Sequence, residues 1–300
     1  MKFSLYTNEK VVVTGGAGFI GSHLVDALVA QGAQVTVLDN LSTGKLHNLQ
    51  AAQEKITLLK ADITDRDACN AALTGAAYVF HLAACVSVPL SMKEPEICYS
   101  SNIAGTFTLL EAARRAQVKK FIFSSSCAVY GNHTTACSEN TPTQPTSAYG
   151  YSKLMGEIYC QEYARLHKVP TLSLRYFNVI GSRQDPQGMY AGVYAKFSYN
   201  MRNNLPITIF GNGHQVRDLV PVEQIVQANL SLAQLPSDQL QGQPINIATE
   251  RPTTILELYH ILKESYPNYP FEPNFQEKRS GDIDICIGNA GLYRQLQTML

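Results

Sequence analysis

The sequence predicts an α/β fold in which a doubly wound parallel sheet carries helices on both faces and is followed by a smaller α/β lobe. Three observations predict it. Short apolar runs alternate with helical patterns through the first half of the chain, a glycine-rich turn follows the first run, and the alternation breaks down after Phe177. The length of 300 residues suits one large domain or two closely packed ones.

The predicted elements of the first half alternate regularly. The β-branched run Val11 to Val13 is the first strand, and the apolar face of residues 19–30 predicts a helix after it. Strands separated by helices pair in parallel through crossover connections, so this half predicts successive βαβ units. Further strands are predicted at 34–38, 56–59, 77–82, 121–123 and 171–175, and further helices at 94–116 and 148–167.

The second half has a less regular pattern. Residues 181–188 are polar and turn-rich, and prolines 267, 270 and 273 end the last predicted helix. We therefore predict a cofactor-binding domain at 1–177 with a returning segment at about 214–249, and a substrate-binding lobe at 178–213 and 250–300. Helices are predicted at 192–203, 222–234 and 255–266, and strands at 207–210 and 245–247.

Composition and charge exclude several classes of protein. Apolar residues make up 45% of the chain, which excludes global disorder, and 24 Lys and Arg balance 24 Asp and Glu. Without a basic excess, we expect neither nucleic-acid nor membrane-surface binding. The first residues lack a signal-peptide pattern, and the seven Cys and seven His show no CxxC or HExxH spacing. We therefore expect a cytoplasmic protein with free thiols and no metal site.

The glycine-rich turn after the first strand predicts a dinucleotide site. Gly15, Gly18 and Gly21 form a GxxGxxG pattern between a predicted strand and a predicted helix. Glycine allows the tight turn and lets backbone N–H groups approach a pyrophosphate at the helix N-terminus. Asp39 ends the second predicted strand, where a carboxylate hydrogen-bonds the adenosine ribose and repels a 2′-phosphate. The pattern therefore favours NAD over NADP.

Two further strand ends are candidates for cofactor contacts. Asp62 and Ile63 follow the third strand, where a carboxylate can face the adenine amino group. Leu82, Ala83 and Ala84 follow His81 at the end of the fourth strand, where small side chains let the backbone approach the cofactor. Ligands bind at the carboxyl ends of strands in open α/β sheets, so we expect these segments in the cofactor site.

A second motif predicts proton transfer. Tyr149 and Lys153 are four residues apart at the start of a predicted helix and therefore share one face. A phenol with a pKa of about 10 is a poor base at neutral pH, but a nearby ammonium and an oxidised nicotinamide both favour the phenolate. Ser126, after the fifth strand, can hydrogen-bond the same substrate hydroxyl.

Five motifs in order, TGGAGFIG, HLAA, SSSCAVYG, YGYSK and RYFNVIG, resemble those of the extended short-chain dehydrogenase/reductase family. The resemblance implies a Rossmann domain that binds NAD, a nucleotide-sugar lobe, and a catalytic triad of Ser126, Tyr149 and Lys153. It also implies that Lys153 binds the nicotinamide ribose. The implied cofactor-binding residues are Gly15, Gly18, Phe19, Ile20, Gly21, Asp39, Asn40, Asp62, Ile63, Leu82, Ala83, Ala84, Tyr149, Lys153 and Phe177.

The residues after Ser126 narrow the implied reaction. The family's 4,6-dehydratases carry Asp-Glu directly after this serine, and its decarboxylases carry Glu two positions on, whereas this chain has Cys127 and Ala128. The remaining resemblance is to UDP-sugar 4-epimerases, in which the tyrosine takes the 4-OH proton, C4 gives hydride to NAD⁺, and the 4-keto sugar turns before hydride returns. A 4-epimerase of a UDP-hexuronate and a nucleotide-sugar reductase stay open as alternatives, whereas a non-catalytic NAD sensor is disfavoured because Tyr149 and Lys153 are both present.

The resemblance also implies a substrate site. Arg217 and Arg279 match arginines that hold the UDP phosphates, and the residue four positions after Asp282 flanks the C2 substituent of the sugar. That residue is Cys286, whose small side chain predicts that N-acetyl groups are admitted. We expect UDP-GlcNAc and UDP-GalNAc as substrates, with UDP-Glc and UDP-Gal as a second pair. The implied substrate-binding residues are Ser87, Ser126, Tyr149, Asn178, Arg217, Arg279, Asp282 and Cys286.

The resemblance includes the two long helices predicted at 94–116 and 148–167. In the family such helices form a four-helix dimer interface, so we expect a homodimer.

Overall fold

The fold is described from a computed structural model, which covers residues 5–186, 188, 192–278 and 283–300. Strands and helices alternate through the first 176 residues. The strands are β1 (Lys10–Thr14), β2 (Gln34–Leu38), β3 (Ile56–Leu59), β4 (Tyr78–His81), β5 (Lys120–Ser126) and β6 (Thr171–Tyr176). The helices are α1 (Phe19–Ala30), α2 (Arg66–Leu73), α3 (Val88–Lys93), α4 (Pro95–Cys98), α5 (Gly105–Ala116) and α6 (Ala148–His167).

The second half of the chain continues the series of elements. The strands after β6 are β7 (Asn178–Ile180), β8 (Thr208–Phe210), β9 (Val216–Pro221), β10 (Gln241–Ile247), β11 (Pro252–Thr254), β12 (Asn274–Gln276) and β13 (Ile285–Cys286). The helices after β6 are α7 (Val193–Arg202), α8 (Val222–Leu232), α9 (Ile255–Ser265) and α10 (Gly291–Gln297). Within the described residues, no helix is long and apolar enough to cross a membrane.

The large sheet has seven strands in the order β10-β6-β5-β4-β1-β2-β3, and each neighbouring pair is parallel. The apolar residues of its interior strand β1, Val11 to Val13, are fully buried, as their β-branched run predicted. The strand order reverses between β1 and β4, which is where ligands bind in sheets of this kind. The predicted doubly wound α/β fold is confirmed.

The strands of the second half lie in three sheets, one of which is the parallel pair of β8 and β12. Strands β7, β9, β11 and β13 form a small separate sheet, whereas α8 packs on α1 and β10 joins the edge of the large sheet beside β6. Strand β9 pairs with three partners, so it connects the elements of the small sheet. The chain therefore returns to the large sheet at α8.

Several elements differ from the predicted ones. Helix α2 and strand β9 were not predicted, because their apolar positions are too few to form a clear pattern. The predicted helix at 94–116 is helical from Pro95, but it contains the π-helical turn Tyr99–Ala104 between α4 and α5. Such turns insert an extra residue and are frequent at functional sites.

Candidate active site

The glycine-rich turn between β1 and α1 lies against the end of β4. Gly15 has φ +67°, and a Cβ atom on it would stand 2.7 Å from the backbone nitrogen of Ala83. A Cβ on Gly21 would stand 2.2 Å from the carbonyl oxygen of Gly15. Gly18 precedes the first turn of α1 and gives it no side-chain cap. The turn therefore leaves the N–H groups of a helix N-terminus open to an anion.

The acidic residue at the end of β2 is buried and fixed by the backbone. One carboxylate oxygen of Asp39 accepts from the backbone N–H of Ala17 at 2.9 Å, and the other accepts from that of Leu41 at 2.8 Å. Each oxygen keeps a lone pair, so Asp39 can still accept hydrogen bonds from a ribose. The carboxylate connects the glycine turn to the end of β2.

Asp62, which follows β3, is a second acidic residue at this end of the sheet. The side chain of Asn40 donates to Asp62 at 2.7 Å, and Thr64 donates to Asp62 through both its N–H and its hydroxyl. Burial acts to raise the pKa of Asp62, but these hydrogen bonds outweigh it and lower that pKa. Asp62 is therefore an ionised acceptor beside Asn40. Ile63, next to it, is buried in the core.

The remaining predicted cofactor residues lie around the turn. Leu82, Ala83 and Ala84 are partly exposed, and the N–H of Ala83 donates to the hydroxyl of Thr14 at 3.2 Å. Phe19 and Ile20 are partly exposed in the first turn of α1.

Phe177 is different, because it is 2% exposed and packs in the core against the ring of Tyr130. Its side chain therefore offers little surface to a ligand.

These features together fit a bound dinucleotide. The crevice at the reversal of strand order has a glycine turn with no room for side chains, an uncapped helix N-terminus and a buried carboxylate that accepts hydrogen bonds. A pyrophosphate needs the first two, and the diol of an adenosine ribose needs the third.

Tyr149 lies in the first turn of α6. Ser147 caps this helix by accepting from the N–H of Gly150, and the N–H of Tyr149 donates to the buried hydroxyl of Ser91 at 3.0 Å. Burial raises the pKa of the Tyr149 phenol, and a hydrogen bond with Ser126 lowers it in part. The positive end of the helix dipole also favours the phenolate. The structure thus brings Ser126 and Tyr149 together.

Lys153 is buried one turn further along α6. Its ammonium donates to the carbonyl of Ser124 at 2.8 Å and lies 5.9 Å from the centre of the Tyr149 ring. Burial lowers the pKa of Lys153 to about 8, although several thiols and Glu157 act to raise it. Because water is excluded, the ammonium is a strong local source of positive charge beside the phenol.

The lowered pKa of Lys153 predicts a pH-dependent stability. The unfolded chain holds this proton up to the ordinary pKa of about 10.5, so stability rises with pH between about 8 and 10.5. Lys153→Met removes this rise. Between pH 7 and pH 10, the free energy of unfolding of the wild type should therefore rise by roughly 2–3 kcal/mol more than that of the variant. Urea unfolding without cofactor measures both.

Lys119→Met is the matched control, because this lysine is 56% exposed. Its difference from the wild type should change little between the two pH values. A flat difference for Lys153→Met as well would contradict a lowered pKa in the folded protein.

A buried ion pair connects strand β6 to helix α6. Arg175 on β6 donates two hydrogen bonds to the carboxylate of Glu157 on α6, at 2.8 and 2.7 Å, and a third to the hydroxyl of Tyr130 at 2.9 Å. The hydroxyl of Ser125 also donates to Glu157. The network connects the end of β5 to the helix that carries Lys153. Sequence patterns could not show it, because its members are far apart in the chain.

Asn102, in the π-helical turn, was also missed. Its side-chain amide donates to the hydroxyl of Ser152 at 2.9 Å and to the carbonyl of Cys85 at 3.0 Å, and its oxygen accepts from the N–H of Cys85 at 2.7 Å. The turn therefore fixes the segment after β4 against α6 beside Lys153.

The small sheet lines a cavity of about 740 Å³. Asn178 and Arg217, both predicted substrate residues, line it, and so does Lys196 of α7, which carries no sequence signal. The buried carboxylate of Asp218 accepts from the backbone N–H groups of Thr249, Glu250 and Gly288. It thereby holds the strand that carries Arg217.

Cys286 lies beside the cavity. Its Sγ atom is 3.5 Å from the side-chain nitrogen of Asn178 and 3.5 Å from the Sγ atom of Cys127. The segment after β5, which also carries Ser126, thus meets the small sheet at these two thiols.

The predicted substrate residues that remain are Ser87, Arg279 and Asp282. Ser87 caps α3, where its hydroxyl accepts from the N–H of Leu90 at 3.0 Å. Its hydrogen remains available to a ligand. Arg279 and Asp282 lie outside the described residues.

Comparisons with known proteins agree with this geometry. The sequence pattern of the NAD dependent epimerase/dehydratase family matches residues 11–248. A putative UDP-glucose 4-epimerase of Methanocaldococcus jannaschii is 38% identical over 276 residues, which cover 91% of this chain and 87% of the relative.

Two solved structures are similar over nearly the whole chain. The Thermotoga maritima UDP-glucose 4-epimerase with UDP-glucose has a TM-score of 0.89 at 38% identity and covers 95% of this chain and 91% of its own. The UDP-N-acetylglucosamine 4-epimerase of Methanobrevibacter ruminantium, in complex with UDP-N-acetylmuramic acid, has a TM-score of 0.92 at 37% identity and covers 97% and 92%.

The family match includes the glycine turn, the Asp39 position and the Tyr149–Lys153 pair. It confirms the predicted resemblance and the predicted cofactor, NAD. The chain belongs to the NAD dependent epimerase/dehydratase family.

Proposed function

We propose that the protein interconverts the C4 epimers of a UDP-sugar, with UDP-GlcNAc and UDP-GalNAc as one substrate pair and UDP-Glc and UDP-Gal as the other. The observation that carries this proposal is the position of Tyr149. It hydrogen-bonds with Ser126 at the end of β5 and lies beside the buried ammonium of Lys153. The relatives named above support it, since each is a named or putative 4-epimerase of a UDP-sugar.

In this mechanism, Tyr149 moves the proton of the 4-hydroxyl. The phenolate accepts the proton when C4 is oxidised and donates it back when C4 is reduced. Ser126 orients the same hydroxyl, and Lys153 stabilises the phenolate through its charge. Bound NAD supplies the acceptor and donor of hydride and is regenerated in each cycle.

Epimerisation also needs the sugar to turn while the rest of the substrate stays fixed. A diphosphate held by cations can act as that pivot. Arg217 and Lys196 line the cavity on the small sheet and supply positive charge there, and Asn178 adds amide donors. We propose that Arg279 and Asp282 complete the substrate site, as their resemblance to the family implies. The division into a cofactor-binding domain and a substrate-binding lobe stays a proposal, with one change: β9, which carries Arg217 within the predicted returning segment 214–249, pairs in the small sheet and is assigned to the substrate-binding lobe.

We assign sugar selectivity to Cys286. It lies between Asn178 at the cavity and Cys127, which follows Ser126. A thiol at this position is small, so the acetamido group of an N-acetylhexosamine has room that a large aromatic side chain would fill.

Two measurements test the assignment. NMR or mass spectrometry of products from UDP-GlcNAc, UDP-Glc and their uronates identifies the substrate class, and turnover of a uronate alone would replace the proposal. In Cys286→Tyr, we expect kcat/KM for the N-acetyl pair to fall by about tenfold or more relative to the unacetylated pair, because the phenol occupies the space.

Cys286→Ser is the matched control. It keeps a small side chain and should keep the ratio between the two substrate pairs. An equal fall of both activities in Cys286→Tyr would reject Cys286 as the selecting residue.

We further propose that the protein is a homodimer through α5 and α6. These helices pack side by side, and α6 exposes Tyr151, Met155 and Ile158 on one face, with Tyr151 and Ile158 more than half exposed. Phe107 of α5 is exposed beside them. A second copy would bury this apolar surface. Light scattering should therefore give twice the chain mass for the wild type and the chain mass for Ile158→Arg, and a monomeric wild type would reject the interface.

A further inference from the structure

Two thiols from different sheets meet beside the proposed sugar site. Cys127 directly follows β5 of the large sheet, and Cys286 ends β13 of the small sheet. Their Sγ atoms are 3.5 Å apart. A disulfide has an S–S bond of about 2.05 Å, so the two atoms need to approach by roughly 1.5 Å. The two sulfur atoms are therefore close enough for a small local movement to bring them to bonding distance.

The surroundings of the pair make it reactive and accessible. Both residues are partly exposed, unlike Cys98, which forms a second thiol contact with Cys85 but is 1% exposed. The thiol of Cys286 donates to the sulfur of Cys127 and accepts from the side-chain N–H of Asn178, and Arg217 lies near it. The contact with Cys127 is the largest influence on Cys286, and with Asn178 and Arg217 it lowers the pKa of Cys286 although burial acts to raise it. The same contact, together with burial, raises the pKa of Cys127, so Cys286 is the thiol that ionises first.

We propose that Cys127 and Cys286 are a redox modification site, at which a small disulfide such as that of glutathione converts the two thiols to an intramolecular disulfide. The oxidant reaches the site through the substrate cavity, since Asn178 both lines that cavity and contacts Cys286.

The reaction is a double thiol–disulfide exchange. The thiolate of Cys286 attacks one sulfur of the small disulfide, which forms a mixed disulfide and releases one small thiolate. The thiolate of Cys127 then attacks the sulfur of Cys286 and releases the second. The two protons lost by the protein thiols go to the two released thiolates, so two protein thiols are oxidised and one small disulfide is reduced.

The bond would change the pocket. It joins the end of β5 to β13, so the segment beside Ser126 and the small sheet can no longer separate around a sugar. It also removes the small thiol surface assigned above to the sugar. This consequence rests on the proposed function, whereas formation of the bond does not.

The test uses the purified protein with its cofactor, reduced and then treated with glutathione disulfide. Digestion without reduction should give a peptide pair joined through Cys127 and Cys286, and the intact mass should fall by two hydrogen atoms. Cys127→Ser and Cys286→Ser should both abolish that pair. Cys137→Ser removes the neighbouring thiol and should leave the pair intact, because Cys137 is buried and contributes no sulfur to the bond.

Turnover of the UDP-sugar found above should fall in proportion to the cross-linked fraction and return with dithiothreitol. A stable glutathione adduct on Cys286 without the cross-link would overturn the proposal, as would a cross-link that leaves turnover unchanged. If no UDP-sugar is turned over by the reduced protein, the proposed function fails, and the mass measurement still decides whether the disulfide forms.

Discussion

Tyr149→Phe is expected to lower kcat by about 10²–10⁴-fold while leaving NAD bound. The substitution removes one hydroxyl and keeps the ring, so the packing at the start of α6 is retained. The hydroxyl is the group that hydrogen-bonds with Ser126, and the ring of Tyr149 lies beside the ammonium of Lys153. Proton transfer to and from the substrate therefore loses its acid and base.

Tyr151→Phe is the matched control. Tyr151 lies two residues further along the same helix, so it is on a different face from Tyr149, and it is 56% exposed. Turnover should be unchanged in this variant. Cofactor retention is measured from the absorbance of nucleotide released on denaturation. Retained turnover in Tyr149→Phe would reject Tyr149 as the proton carrier, and loss of NAD would indicate a binding defect instead.

The parts of the site that could be predicted are those with local signals. A Cβ on Gly15 or Gly21 would collide with the backbone, so geometry fixes glycine at these two positions of the turn. Tyr149 and Lys153 share a helical face because they are one turn apart. Both features can be identified from spacing alone, and the alternation of strands and helices gives the sheet around them.

The parts that could not be predicted depend on contacts between distant residues. Cys127 and Cys286 are 159 positions apart and touch only because β5 and β13 end at the same place. Asn102 reaches Ser152 only because a π-helical turn redirects it. Ser87 was predicted as a substrate residue from a motif, but a motif does not show that its hydroxyl also caps helix α3. The spacing of residues along the sequence specifies neither their tertiary contacts nor whether a side chain also has a local role such as helix capping.

Arg175→Met is expected to lower the free energy of unfolding by about 3–5 kcal/mol. Arg175 and Glu157 are both almost fully buried, at 4% and 2% side-chain exposure. Without the guanidinium, the Glu157 carboxylate keeps the Ser125 hydroxyl as its partner and stays buried with an uncompensated charge. The cost comes mainly from this desolvated charge, so a change in one residue is more damaging than loss of an exposed ion pair.

Two variants separate the buried charge from the loss of the contact itself. In Arg175→Met combined with Glu157→Leu no charge is left behind, and replacing a buried pair by apolar residues of similar size is often neutral or stabilising, so stability should recover most of the loss. Arg114→Met breaks a comparable bidentate contact with Glu111 on the surface, where solvent screens the charges and we expect a much smaller loss of stability. Urea unfolding measures all three. If the double variant is as unstable as Arg175→Met, the pair acts through its packing rather than its charge, and the network would then hold α6 by shape alone.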